Sequence, residues 1–387
     1  MKKYPLLLVV FVCIQAGSYA QKLKIRLLSD LTLSRILFTP LAGDYKLRMD
    51  TCQISSENNP GVYQLTVEGD SVRVKSFEKD FGKCARVLFE AQLKEGSFKL
   101  KSIAPEIKVK VYDNDLEVRI SQGGLKLINR VGIENYIAGV VESEAGSGST
   151  SEYYKLQSIL CRTYALSNIH KHEADSFNLC DLVHCQSYKG KSENTIILQA
   201  VFDTKGLVIV DDDMNLISAT FHSNCGGQTV NSEDVWSLSA SYLRSVKDTF
   251  CLHMPNAHWQ KTIATSDWIN YLSLKQKYPV DDSLSCRQAL TFPQYNGREL
   301  YFASKEFKIP LKTIRSDWQL KSTYFSIRQL GDSIVLNGRG YGHGVGLCQE
   351  GAMHMARLGI SYGDIINFYY TGVHLVDLAV LNFLKED

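Results

Sequence analysis

The stretch Ser149-Thr-Ser-Glu-Tyr-Tyr-Lys-Leu-Gln-Ser-Ile-Leu-Cys-Arg-Thr-Tyr-Ala-Leu-Ser-Asn-Ile169 is the first part of the chain with a clear helical pattern. A Ser-x-x-Glu capping box opens it at Ser149. Core-facing residues then recur three and four positions apart, at Leu156, Ile159, Leu160, Thr163 and Leu166. We predict a helix over residues 152–169 that packs on short strands. Since strand patterns precede it, we predict an α+β fold.

The part of the chain before this helix alternates between apolar and polar residues. The runs 62–67 and 72–74, separated by Gly69-Asp70, predict a hairpin, and the runs 107–111 and 116–120 predict a second one. We therefore predict a β-rich N-terminal domain over residues 21–125. Residues 126–387 are predicted to form a mixed α+β core, in which 266–326 carries little pattern.

The first twenty residues have the pattern of a secretory signal. Lysines at positions 2 and 3 precede an apolar run from Pro5 to Ile14, and Ser18-Tyr19-Ala20 is a small-residue cleavage site. The run is too short to span a bilayer, and no later stretch is apolar enough to do so. We predict that residues 1–20 are a cleaved signal peptide and that the protein is exported, to the periplasm or the cell exterior.

The net charge argues against binding of nucleic acid or a membrane surface, and the cysteine count bears on disulfides and metal binding. Loss of Lys2 and Lys3 takes the formal charge from +2 to zero, so no overall field attracts nucleic acid or a membrane surface. Removing Cys13 with the signal leaves an odd number of cysteines from the original ten. In an oxidising compartment, at least one of them is then free, bound to metal or paired with another molecule.

Two carboxylates end an apolar run that begins at Tyr136. Glu142 and Glu144 lie just before the glycine-broken loop 145–148, and we read the run as a strand. A carboxyl group at the edge of such a strand is partly desolvated, which raises its pKa and suits a general acid. The alternative is that both are solvated charges at a strand end.

The segment Cys180-Asp-Leu-Val-His-Cys185 has ligands that suit a soft metal such as zinc. Cys180, His184 and Cys185 supply three of them, and His170 or His172 is a candidate fourth. The alternative is a disulfide that involves Cys180.

The segment Phe221-His-Ser-Asn-Cys-Gly-Gly-Gln-Thr229 places a cysteine three residues after a histidine. One reading is a thiol nucleophile, Cys225, with His222 or His343 as its base. The other reading is a structural disulfide between Cys225 and Cys251, because an exported thiol is readily oxidised.

Glycine occupies every second position from Gly338 to Gly346. In a strand, this alternation puts the glycines on one face and Arg339, Tyr341 and His343 on the other. Such a face allows a ligand or another backbone to come close. A site wall and a tight structural corner both fit the pattern.

Five stretches carry a family pattern in a fixed order: Tyr136-Ile-Ala-Gly-Val-Val-x-x-Glu144, Cys161-Arg-Thr-Tyr-Ala-Leu166, Cys180-x-x-x-His-Cys-Gln186, Ser223-Asn-Cys-Gly-Gly-x-Thr229 with Trp236, and Gly338-x-Gly-Tyr-Gly-His-Gly-Val-Gly-x-x-Gln349. Together they resemble the sporulation stage II protein D / LytB family of bacterial cell-wall proteins, over about Val131 to Val373.

This resemblance implies an exported lytic transglycosylase that cleaves peptidoglycan glycan strands, preferably strands without stem peptides. Glu144 would be the single catalytic residue, cutting between N-acetylmuramic acid and N-acetylglucosamine and leaving 1,6-anhydro ends. Because some family members are described as amidase enhancers, the alternative is a non-catalytic glycan-binding module that recruits or enhances a cell-wall amidase.

The resemblance also implies roles for individual residues. It implies a structural zinc at Cys180, His184 and Cys185, for which we add His172 as fourth ligand, and no organic cofactor. It implies substrate-binding positions at Arg162, Tyr164, Arg339, Tyr341, His343 and Gln349. Where the family commonly has Met-Pro after its glutamate, this chain has Ala145-Gly146-Ser147-Gly148, which predicts a more flexible loop.

Overall fold

The computed structural model describes residues 22–54, 61–93, 95–236, 238–293, 297–302 and 307–385. The predicted signal peptide lies outside these ranges. Among the helices they contain, none has both the length and the apolar character needed to cross a membrane.

The N-terminal part consists of short strands. In chain order these are β1 (Lys22–Leu27), β2 (Arg35–Ala42), β3 (Tyr45–Met49), β4 (Cys52–Ile54), β5 (Tyr63–Glu68), β6 (Ser71–Lys75), β7 (Asp80–Cys84), β8 (Arg86–Ala91), β9 (Ser97–Ala104), β10 (Lys110–Asp113), β11 (Asp115–Ser121) and β12 (Gly124–Gly132).

Helices and short strands alternate in the remainder. They are α1 (Ile133–Ala145), α2 (Ser151–Ser167), a 3₁₀ turn (Glu173–Asp175), β13 (Leu179–Cys180), α3 (Thr195–Asp203), β14 (Leu207–Asp211), β15 (Phe221–His222), α4 (Ser232–Val235), β16 (His258–Ala264), α5 (Thr265–Asn270), a π-helical turn (Tyr271–Lys275), α6 (Ser283–Leu290), β17 (Thr291–Phe292), β18 (Tyr301–Phe302), β19 (Ile309–Pro310), α7 (Leu311–Asp317), β20 (Phe325–Leu330), β21 (Ser333–Arg339), β22 (Leu347–Cys348), α8 (Gln349–Arg357), α9 (Tyr362–Tyr369), β23 (Val373–Asp377) and α10 (Leu378–Lys385). The predicted α+β class is confirmed.

Two sheets form the N-terminal part. One has the strand order β13-β1-β12-β11-β8-β3-β4, and the other has the order β10-β9-β2-β5-β6-β7. They pack face to face, and the rings of Phe38 and Phe89 stack between them with centroids 3.9 Å apart. The first predicted hairpin is confirmed as β5–β6. The second is wrong, because β10 pairs with β9 while β11 pairs with β8 and β12, in the other sheet.

The strands and the helices share one apolar core, which extends from Leu23 to Val373. Strand β1 pairs on one side with β12 and on the other with β13, which belongs to the predicted metal segment. The domain boundary that we predicted between residues 125 and 126 falls inside β12. The N-terminal strands are thus built into the same body as the helices.

The apolar run that ends in Glu142 and Glu144 is a helix, so its interpretation as a strand is wrong. Helix α1 buries Tyr136 through Val141, a continuous stretch that faces neighbours all round. Periodicity alone does not separate such a helix from a buried strand.

The predicted long helix is confirmed as α2, but its capping box is not. Thr150, rather than Ser149, is the N-cap, and its side chain accepts a hydrogen bond from the N–H of Tyr153. Glu152 instead accepts the N–H of Tyr362, at a distance of 2.8 Å, from the start of α9. The helix packs on β14, where the Thr163 hydroxyl accepts the N–H of Ile209.

The region 266–326 belongs to a small unit with its own core. Strand β16 pairs with β21, and β20 and β17 complete a four-stranded sheet. Trp268 is fully buried in the apolar cluster that α5, α6 and α7 form against this sheet. The mixed pattern of this region thus reflects short elements, not an absence of structure.

The glycine-rich segment is a strand only as far as Arg339, so the predicted strand over its whole length is wrong. Gly340, Gly342, Gly344 and Gly346 all have positive φ, between 68° and 118°, a range that side chains disfavour. The expectation that another backbone comes close is confirmed. A Cβ on Gly340 would lie 2.6 Å from the carbonyl oxygen of Asn224.

Candidate active site

Glu144 lies in the last turn of α1, where its side chain is half-buried. Its Oε1 atom accepts a hydrogen bond of 2.8 Å from the N–H of Ser187. Burial raises the pKa of the Glu144 carboxyl, while the Ser187 N–H and the charge of Lys189 act in the opposite direction. A carboxyl whose pKa is raised toward neutrality is better suited to donate a proton than an ordinary glutamate.

The segment 187–190 runs along the end of α1 and fixes it. Lys189 donates its N–H to the Ser143 hydroxyl at 3.1 Å, next to the Ser187–Glu144 hydrogen bond. Gly139 makes this close approach possible, because a Cβ there would overlap the carbonyl oxygen of Gly190 and come within 2.6 Å of the Tyr188 ring.

The loop after Glu144 is held at both of its ends by one buried side chain. The Tyr154 hydroxyl donates to the carbonyl of Gly146 and accepts the N–H of Ser149, both at 2.9 Å. Tyr154 is fully buried in α2. The predicted flexible loop is therefore tied to the helix that follows it.

The predicted metal ligands lie together. The donor atoms of His172, Cys180, His184 and Cys185 are all within 4.8 Å of one another. His172 Nε2 is 3.4 Å from the Cys185 sulfur, and His184 Nδ1 is 3.8 Å from each of the two sulfurs. His170 is exposed and pairs with Glu173, so His172 is the histidine placed to be the fourth donor.

This cluster is continuous with the Glu144 site. Cys185 is followed by Gln186, whose buried Nε2 has no hydrogen-bond partner among the described residues, and then by Ser187. A metal ion bound to Cys185 would therefore also restrict the backbone N–H of Ser187, which contacts Glu144.

Tyr164 lies on the side of α2 that faces the predicted metal ligands, where its hydroxyl is 3.5 Å from the Lys171 amine. Burial raises the pKa of Tyr164 to about 12.

His343 is positioned by backbone on both ring nitrogens. Its Nε2 donates to the carbonyl of Phe221 at 2.9 Å, and its Nδ1 accepts the N–H of Val345 at 3.1 Å. Burial lowers the pKa of His343 to about 4. The ring is therefore neutral and offers only its face, which lies against Trp236 with centroids 5.1 Å apart.

Tyr341 and Arg339 occupy different surroundings. Tyr341 is 45% exposed, and the Lys321 amine lies 5.5 Å above its ring. The Arg339 guanidinium lies over the ring of Tyr324 at 5.7 Å. Trp236 and Tyr341 thus present exposed aromatic surface beside His343.

Gln349 is the first residue of α8. The buried phenol of Tyr153 is close to both Glu144 and Gln349. Gln349 Nε2 is buried without a hydrogen-bond partner within the described ranges. No hydrogen bond or ion pair between described residues joins Glu144 directly to Arg339, Tyr341 or His343.

Arg162 has a structural position, which contradicts the prediction that it binds substrate. It is 1% exposed, and its Nε and Nη2 atoms bind both carboxylate oxygens of Glu134 at 3.1 and 2.6 Å. It also donates to the carbonyl of Leu207. A side chain enclosed in this way has no surface left for a sugar.

The thiol-nucleophile reading of Cys225 is contradicted as well. Cys225 is fully buried, and its sulfur lies 3.4 Å from that of Cys251, both being free thiols. His222 directs Nδ1 at the carbonyl of Val345, while both nitrogens of His343 are occupied. Neither histidine is hydrogen-bonded to the Cys225 sulfur among the described residues, and the Cys225–Cys251 disulfide stays a prediction.

Sequence reasoning missed the backbone and hydroxyl contacts that hold Glu144, namely those of Ser187, Lys189 and Tyr154. Lys189 carried no motif. Ser187 directly follows the predicted metal segment, and that adjacency was the one available signal.

Comparison with known proteins points to one family. The sequence model of the stage II sporulation protein family, SpoIID, matches residues 121–210, which include Glu144 and the four clustered metal-type ligands. The resemblance to the SpoIID family is confirmed. A stage II sporulation protein D of Bacillus subtilis is 29% identical over 274 residues, covering 66% of this chain and 78% of that protein.

Two further relatives match a similar share of the chain. An uncharacterized protein of Brachyspira hyodysenteriae is 29% identical over 264 residues, covering 66% of this chain and 70% of its own length. A Bacillus subtilis protein named amidase enhancer is 28% identical over 292 residues, covering 62% of this chain but 40% of the relative.

Proposed function

We propose that this SpoIID-like protein is an exported cell-wall enzyme that cleaves peptidoglycan glycan strands as a lytic transglycosylase. The observation that carries the proposal is the half-buried Glu144, whose pKa is raised by burial and whose Oε1 atom is held by Ser187. The bond cut would be the one between N-acetylmuramic acid and N-acetylglucosamine, preferably in strands without stem peptides.

In the first step, protonated Glu144 gives its proton to the glycosidic oxygen, and the bond from that oxygen to C1 of the muramic acid breaks. Desolvation of the carboxyl favours its protonated form. The Ser187 N–H stabilises the carboxylate that remains.

In the second step, the Glu144 carboxylate takes the proton from the C6 hydroxyl of the same sugar, and that oxygen bonds to C1. The product is a 1,6-anhydro end, and the glutamate is again protonated. No second carboxylate is required, in contrast to ordinary glycosidases.

The four-residue cluster fits a structural zinc ion. Two thiolates and two imidazoles are a common donor set for zinc in closed sites, and Cys180, Cys185, His172 and His184 would hold it. A zinc ion would supply rigidity, because Cys185 lies two residues from the Ser187 amide that binds Glu144.

The exposed faces of Trp236 and Tyr341 suit the binding of a flat sugar ring, and the neutral His343 backs Trp236.

Replacement of Glu144 by glutamine tests the proposal. Glu144→Gln keeps the size and the Ser187 contact but removes the proton. We expect turnover of peptide-free glycan strands to fall by about a thousandfold, the usual contribution of a general acid. Mass spectrometry of the released ends should show 1,6-anhydro sugars with the parent protein.

Glu142→Gln is the matched control, two residues away on the same helix, and should retain activity. Ordinary reducing ends in place of anhydro ends would mean that the protein is a hydrolase. Full activity in Glu144→Gln would refute the assignment of the acid.

The alternative is a non-catalytic glycan-binding module that recruits or enhances a cell-wall amidase. The relative named amidase enhancer favours it. This role requires that the protein stimulate a purified amidase on intact sacculi, and that Glu144→Gln stimulate it equally. If the parent protein releases anhydro ends without an amidase, binding alone is insufficient.

A further inference from the structure

A second cluster of metal-type ligands lies in the interior, away from the Cys180–Cys185 segment. It consists of Cys225, Asp248, Cys251 and Cys348, all buried, with donor atoms within 4.8 Å of one another. The described part of the chain has no other group of this kind besides the one already discussed. These residues come from three separate segments, which the fold brings to one point.

The spacing of the donors fits a tetrahedral ion. The sulfurs of Cys225 and Cys251 are 3.4 Å apart, and Asp248 Oδ2 is 3.3 Å from the Cys225 sulfur. With zinc–sulfur bonds of about 2.3 Å, the sulfurs of a tetrahedral site are about 3.8 Å apart. The gap at the centre is therefore close to the size that zinc occupies.

The buried carboxylate of Asp248 also favours a bound cation at this point. Asp248 is completely buried, and the donors that its carboxylate oxygens meet among the described residues are uncharged: the N–H of Phe250, the hydroxyl of Tyr369 and the thiols of Cys225 and Cys348. A buried carboxylate without a cation is costly. A divalent ion between Asp248 and the three cysteines would remove that cost.

Positive charge and partial positive charge lie beside the cluster. Cys348 is the N-cap of the nine-residue helix α8, whose positive end stabilises a thiolate. The Cys348 sulfur also accepts the N–H of Cys225 at 3.2 Å. Arg298 donates to the carbonyl of Cys225 and adds one positive charge behind the cluster.

We propose that Cys225, Asp248, Cys251 and Cys348 form a second, structural zinc site. On loading, each thiol releases its proton to solvent and its sulfur bonds to the ion, with no change of oxidation state. The ion would lock β15 to β22, because Cys225 lies three residues after β15 and Cys348 ends β22. It would thereby fix His222 and the start of α8 at Gln349.

Metal content tests this site. The full-length chain, purified from zinc-supplemented cells without chelator, should contain about two zinc ions, one for each cluster. Cys348→Ser should lower the zinc content by about one ion per chain, and Asp248→Asn should weaken retention against a chelator. His184→Ala should remove the other ion, while Cys286→Ser, a half-exposed cysteine in neither cluster, should change nothing.

Two results would overturn the proposal. One is a folded Cys348→Ser chain with the zinc content of the parent. The other is a Cys225–Cys251 disulfide in the native protein, seen by alkylating the denatured, unreduced chain and mapping its peptides. If Cys348→Ser does not fold, cobalt added to a chain that carries both Cys180→Ser and Cys185→Ser decides: thiolate-to-cobalt absorption supports the second site, and its absence refutes it.

Discussion

The pKa and the orientation of the Glu144 carboxyl are set by neighbours that are remote in sequence. Its carboxyl is half-buried at the end of α1, and the N–H of Ser187 reaches it from 43 positions along the chain. Burial and this hydrogen bond move its pKa in opposite directions, and burial is the larger effect. The sequence identified the residue, whereas the contacts that tune it come from the fold.

The pH dependence of activity should follow from the same contacts. Glu144 must start protonated, so activity should fall as the pH rises through its raised pKa. Because the Lys189 charge lowers that pKa, Lys189→Gln should move this alkaline limit to higher pH. Rates across a pH series would measure it.

Lys155→Gln removes the same charge from a lysine that pairs with Asp203, and it should leave the pH profile unchanged. A shift of the Lys189→Gln profile to lower pH would contradict the described electrostatics.

Arg162 should matter for stability and not for substrate affinity. Arg162→Ala leaves Glu134 without its bidentate partner and the carbonyl of Leu207 without a donor. We expect a loss of about 3 kcal/mol in the free energy of unfolding, measured with urea. The KM of the remaining folded protein should be unchanged.

Arg357→Ala, at an exposed position of α8, should change stability by less than about 0.5 kcal/mol. A raised KM in Arg162→Ala at full stability would restore Arg162 to the substrate site.

Helix α1 and the segment 187–190 are in direct contact, and the absence of a side chain at Gly139 makes this contact possible. Alanine normally stabilises a helix interior by about 1 kcal/mol relative to glycine. At this position, however, a Cβ would overlap the carbonyl oxygen of Gly190. The packing effect should exceed the helix propensity.

Gly139→Ala should therefore lower both the melting temperature and glycan cleavage, since it displaces the Ser187 amide from Glu144. Differential scanning calorimetry and the glycan assay would measure the two effects. Gly148→Ala is the control, as a Cβ there meets nothing within 4 Å. A Gly139→Ala protein more stable than the parent would show that the segment moves aside freely.

The N-terminal strands share one apolar core with the helices that carry Glu144 and the SpoIID-like motifs. Leu23, Ile25 and Leu27 of β1 are buried in the common core, and Asp181, beside the predicted metal ligands, accepts the N–H of Leu28 at 2.6 Å. Removing β1 would expose this core and leave Asp181 without that partner.

A chain that begins at residue 126 should thus fail to fold, although it contains every SpoIID-like motif. A chain that begins at Gln21 should fold. Circular dichroism and urea titration would distinguish them. Cooperative unfolding of the 126–387 chain would show that the helical part is an independent domain.

The sequence by itself determined the α+β class, helix α2, the β5–β6 hairpin, the candidate Glu144 and the set of four clustered metal-type ligands. These depend on local periodicity or on short motifs, in which the informative residues are neighbours in the chain. Only the tertiary structure decided that residues 136–144 are helical, since a run that is buried all round has no period to read.

Tertiary contacts also placed Arg162 inside an ion pair, closed the loop after Glu144 through Tyr154 and brought Cys348 to Cys225. Each of these depends on side chains that meet across long sequence separations. Local sequence patterns carry no information on such long-range contacts, because these are set by how the elements pack.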